Sequence, residues 1–100
     1  MTEHTLQLLC IGEFRNQYER HGAGLIIPVP NELASKRKDF VICLGCSDTI
    51  LVFANRIVFC EFKVGYNSQQ QNQIEFQKKV ERLGYEYFVI KSLESFKTIL

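Results

Sequence analysis

Two short apolar runs, residues 50–54 and 57–61, flank Asn55-Arg56, and both are rich in β-branched and aromatic side chains. The pattern predicts strand, turn and strand, because asparagine tolerates the positive φ of a tight hairpin. With Asn55 and Arg56 as the turn, Ala54 faces Ile57, Ile50 faces Glu61 and Asp48 faces Lys63. Opposed residues share a face, and side chains alternate along a strand. Asp48, Glu61 and Lys63 are therefore expected on one face, at the open end of the hairpin. Any even turn length preserves this alignment, whereas an odd one flips a strand.

Around the hairpin the period changes. Leu6, Leu9, Cys10, Phe14 and Tyr18 recur at helical spacing. Thr2 is the expected cap and Glu3 the favourable first-turn carboxylate. This helix should reach about Arg20 and stop at Gly22 and Gly24. Residues 25–30 read as a strand closed by Pro28 and Pro30. Residues 32–39 are polar, and the apolar residues 40–44 fit helix, strand or irregular chain equally. After a loop at 64–67, Ser68 and Gln71 have the spacing of a capping box. The helix they open buries Ile74, Val80 and Leu83, with Phe76 or Gln77 between, and ends at Gly84. Residues 85–90 form the last strand, and Ser92 caps a final helix with Phe96, Ile99 and Leu100 inward. A hairpin followed by helix and strand requires a right-handed crossover, so the last strand should run parallel to the Glu61 strand. The predicted class is α/β, a mixed sheet of about four strands flanked by helices in the order α-β-β-β-α-β-α.

Two carboxylates and an ammonium at one sheet end suggest chemistry. A hard divalent cation takes oxygen ligands, commonly one or two carboxylates with water and phosphate. Asp48 and Glu61 suit such an ion, with the Phe62 backbone carbonyl as a third ligand. Lys63 would orient or deprotonate an attacking water, or stabilise charge growing on a phosphate. The plain alternative is a surface Asp–Lys pair on an ordinary strand.

Asp48, then Glu61-Phe62-Lys63, resembles the Asp…Glu-x-Lys signature of the PD-(D/E)XK nucleases. Gly45, Gly65, Ser68, Gln71 and Gly84 extend the likeness to the VRR-NUC branch over essentially the whole chain, read as one domain, residues 1–100. The resemblance implies a restriction-endonuclease-like core. It also implies a magnesium- or manganese-dependent endonuclease acting on branched or four-way junction DNA, commonly as a homodimer. It assigns catalytic roles to Asp48, Glu61, Lys63 and Gln71, and adds Glu3 as a further metal ligand through water. Gln71 would then contact a phosphate or Lys63, beside its capping role. Asn31 also matches a family position, while Ser47 stands where the family usually has proline.

Composition changes this picture little. The 100 residues are 46% hydrophobic with a net charge of +1, ordinary for a globular chain. A DNA-binding surface would need local clustering, and Lys36-Arg37-Lys38 is the densest basic run; it is either a phosphate contact or a solvated face. No apolar run is long enough to span a membrane and no secretory leader is evident, so a cytoplasmic protein is expected. Cys10, Cys43, Cys46 and Cys60 are then expected reduced, Cys43 and Cys46 as small packed hydrophobes. Two competing readings stand beside the nuclease: a non-catalytic nucleic-acid-binding module of the same fold, and a zinc or redox module built on Cys43 and Cys46.

Overall fold

The structure, a computed structural model, describes residues 1–29 and 46–100. Asn31, the basic run 36–38, the apolar run 40–44, Cys43 and Gly45 lie outside the described residues. The elements are α1 (Glu3–Gln17), a 3-10 turn (Glu19–His21), β1 (Leu25–Pro28), β2 (Thr49–Phe53), β3 (Arg56–Phe62), α2 (Gln71–Arg82), β4 (Glu86–Ile90) and α3 (Leu93–Ile99). The strands form one four-stranded sheet in the order β1-β2-β3-β4. The first two pairings are antiparallel and β3–β4 is parallel, as a helical crossover requires. This is the predicted α-β-β-β-α-β-α arrangement.

Alternation along β3 divides the molecule. Val58, Cys60 and Phe62 join Leu51, Ile26 and Ile90 beneath Leu6, Cys10 and Phe14 of α1 and Phe96 of α3. On the opposite face Phe59 meets Phe76 of α2 at 5.9 Å, and Phe76 meets Tyr87 at 6.2 Å. The sheet is thus a central layer, with α1 and α3 on one side and α2 on the other. Helical spacing placed Leu6, Cys10 and Phe14 correctly, but Leu9 is 44% exposed, and Leu83 at the end of α2 is 75% exposed. Leu9 and Leu83 lie off the arcs their helices bury. The helix α1 also stops earlier than expected, because Tyr18 leaves helical geometry and stacks on Phe14 at 5.2 Å.

The hairpin register corrects the expected one. Phe53 pairs with Arg56 and Ile50 with Phe59, so the turn is Ala54-Asn55 and Arg56 opens β3. No non-glycine residue among those described has a positive φ, so Asn55 does not use the left-handed conformation expected of it. Tertiary contacts draw Arg56 out of the turn. Its Nη2 donates to Glu86 Oε1 at 2.9 Å, its Nη1 to the Ile99 carbonyl at 2.7 Å, and its Nε to Glu86 Oε2. The guanidinium also lies over the Phe53 ring, 5.5 Å from its centre. The displacement is even, so every side chain keeps its predicted face. Carrying the ladder one residue past Thr49–Cys60 sets Asp48 against Glu61.

A second correction concerns the start of α2. Ser68 and Gln71 do not form the expected box; Gln70 is the cap, and its N–H donates to Gln73 Oε1 at 2.8 Å. The Gln69 side chain is held by Gln77 at 2.9 Å. That tie keeps the chain extended through Gln70, so the helix starts later. Ser92 caps α3 as expected, accepting from the Ser95 N–H at 3.1 Å. Among the described residues no helix is long and apolar enough to cross a membrane.

Candidate active site

Asp48 is held from several directions before any ligand is considered. Its carbonyl accepts from the Val29 N–H at 2.9 Å and from Gln7 Nε2 at 3.1 Å, and Gln7 also reaches Thr49 Oγ1 at 3.1 Å. Its carboxylate accepts from the Phe62 N–H at 2.8 Å, which binds the entry of β2 to the exit of β3. Buried Ser47, standing where the resemblance expects proline, donates to the Thr49 carbonyl at 3.4 Å. A side-chain hydrogen bond thus helps hold the backbone that a proline ring would stiffen.

Glu61 is the opposite case. It is 0% exposed, and among the described residues neither carboxylate oxygen has a hydrogen-bond partner. Burial pushes its carboxyl above the usual range; Lys63 works against that shift and Asp48 adds to it. Gln69 and Tyr87 lie near enough to favour the charged form without closing a hydrogen bond. The Tyr87 hydroxyl is likewise buried without a partner, and burial, then the Glu61 charge, raise its pKa. Lys63 follows on the same face, 8% exposed, with its N–H on the Ile90 carbonyl at 3.0 Å. The structure therefore gathers Asp48, Glu61 and Lys63 at one end of the hairpin, with the Phe62 backbone between the last two.

The remaining candidates stand further out. Glu3 accepts from Asn67 at 3.3 Å, which links the start of α1 to the loop after Lys63. Among the described residues no three His, Cys, Asp or Glu side chains form a metal-binding group, Glu3 with Asp48 and Glu61 included. Gln71 is exposed, and its amide reaches Glu75 on its own helix at 3.4 Å. The cysteines split. Cys10 and Cys60 are free and buried, with burial pushing both thiols up to about 12, so they are inert packing groups. Cys46 is disulfide-bonded, which corrects the expectation of a reduced thiol and removes the thiolate a zinc site would need. A shallow concavity of about 500 Å³ opens at the turn end of the hairpin, beside Phe53, Arg56 and Tyr85, away from the carboxylates.

Sequence reasoning missed Gln69 and Tyr87. The parallel register sets Tyr87 beside Phe59, on the face that Phe59 shares with Glu61. Strand order alone does not reveal that register.

No family model matches the sequence, and no curated protein does either. A solved structure of a VRR_NUC domain protein superposes with a TM-score of 0.75, covering 99% of this chain and 85% of that one, at 21% identity. The chain has the VRR-NUC fold. Its coverage of nearly the whole chain takes in the hairpin whose open end bears Asp48, Glu61 and Lys63.

Proposed function

We propose that this VRR-NUC-fold chain is a magnesium- or manganese-dependent DNA endonuclease that cuts branched or four-way junction DNA as a homodimer. The observation that carries the reading is the Glu61 carboxylate, fully buried with both oxygens unpartnered and set against Asp48. An uncompensated buried carboxylate is costly. Two carboxylates and a peptide carbonyl suit a hard divalent ion. Asp48, Glu61 and the Phe62 carbonyl would hold it, with Glu3 acting at most through water. When bound, the ion supplies Lewis-acid polarisation of a phosphodiester and a more acidic water.

The chain's own groups supply the rest. Lys63 brings an ammonium to the face of the two carboxylates, where it would orient the attacking water or hold charge developing on the phosphate. Gln71, exposed at the start of α2, is available to a phosphate. The Asp48 backbone is pinned by Val29 and Gln7, so one carboxylate is preorganised.

A panel of branched, flapped and duplex DNAs with magnesium or manganese tests the reading. The wild type should cut the branched substrates. Lys63→Ala should still shift them in a gel while cutting roughly 10²-fold more slowly or worse, because the lysine acts mainly on the transition state. Binding without cleavage by the wild type would favour the non-catalytic module. Normal cutting by the variant would remove Lys63 from the chemistry and leave it a buried structural lysine.

A further inference from the structure

Among the described residues four buried side-chain atoms lack a partner: Asn72 Oδ1 on α2, both Glu61 oxygens and the Tyr87 hydroxyl, and the register sets Glu61 and Tyr87 on one face of the sheet. Most buried polar atoms find a partner, so orphans gathered at one place call for an explanation. Glu61 and Tyr87 are chemically complementary, since a phenol is protonated at neutral pH and donates while a carboxylate only accepts. Tyr87 is 6% exposed, and its ring packs edge-on against Phe76 at 6.2 Å, which in turn packs on Phe59 at 5.9 Å. This aromatic layer fixes the ring from strand and helix together. Parallel pairing sets Tyr87 beside Phe59, two residues before Glu61 on the same face, and the Tyr87 and Glu61 side chains lie close enough to act on each other.

We propose that Tyr87 is a positioning residue for Glu61: when a divalent ion is bound, its hydroxyl donates to one carboxylate oxygen and leaves the other directed to the ion. The proposal rests on the metal-site reading of Asp48 and Glu61. It gives the phenol a task that packing alone does not, because phenylalanine would fill the same aromatic layer with no orphan atom. Groups that orient a metal ligand typically change metal affinity by about 10–100-fold when removed.

Tyr87→Phe separates the two roles. In chelator it should melt no lower than the wild type, since it loses a hydroxyl that has no partner. On titration with magnesium chloride or manganese chloride, the midpoint of its thermal stabilisation should lie about tenfold higher than that of the wild type. An unchanged midpoint overturns the proposal. A wild type that shows no stabilisation by either ion overturns the metal-site reading itself, and that control needs no variant. Should Tyr87→Phe fail to fold, wild-type protein labelled with 3-fluorotyrosine gives a second readout. Magnesium should move the fluorine resonance of a buried tyrosine, and a spectrum unmoved through saturation overturns the proposal.

Discussion

Replacing Glu61 by glutamine should make the metal-free protein more stable. The substitution keeps the shape of the side chain and removes its charge. In the wild type both oxygens are buried without partners, and burial raises the carboxyl's pKa against the pull of Lys63. A buried polar group left unsatisfied costs about 1–3 kcal/mol, and more when charged. Glutamine keeps a polar amide there and Lys63 loses a nearby counter-charge, so relief of about 1–2 kcal/mol is the reasonable share. For a domain of this size each kcal/mol moves the melting temperature by about 4–8 °C, which puts the gain at roughly 5–15 °C. Thermal melts in chelator measure it directly. Magnesium at about a hundredfold over its dissociation constant should then stabilise the wild type by about 2.7 kcal/mol, closing or reversing the gap, while Glu61→Gln stays unmoved. A variant that melts at or below the wild type in chelator would refute the reasoning, because the carboxylate would then be making favourable contacts in the folded state.

Two further outcomes follow from the same structure. The Arg56 guanidinium holds the Glu86 carboxyl below its ordinary value of 4.5. A lowered folded pKa contributes stability that is present above the unfolded value and is lost as pH falls through the folded one. Glu86→Gln should therefore melt lower than the wild type at neutral pH, with the difference closing as pH drops below 4.5; a gap that persists in acid would show that Glu86 acts through something other than its charge. The proposed dimer should sediment near twice 11.6 kDa and lose junction affinity steeply with salt, since two copies neutralise more phosphates than one. A monomer at micromolar concentration with and without junction DNA would remove the dimer and leave the nuclease reading intact.

Much of this site could be read before folding, because parity is robust. Apolar alternation placed Asp48, Glu61 and Lys63 on one face, and that survives a register displaced by an even number of residues. The displacement itself was not legible. It depends on Arg56 finding Glu86 and the Ile99 carbonyl, partners remote in sequence. The start of α2 was misplaced for a related reason: Ser68 has the local chemistry of a cap, but the Gln69–Gln77 contact decides where the turn begins. Tyr87 escaped notice because a single tyrosine in an apolar strand reads as core until its neighbour across the parallel ladder is known. The covalent state of Cys46 depends on oxidation, which residue spacing does not encode.

The strand β3 has two ends of opposite character. At Arg56 all three guanidinium nitrogens are engaged, by Glu86 and by the end of the last helix; at Glu61 no carboxylate oxygen is. Tolerance to mutation should therefore run as a gradient along a single strand. A saturation library scored for folding alone would find substitutions punished at position 56, and near-isosteric uncharged ones such as glutamine welcomed at 61. The same library scored for cleavage would punish both. Selection for robustness and selection for activity thus pull on opposite ends of one strand, and a drifting lineage freed from the second would lose its carboxylate well before it lost its fold.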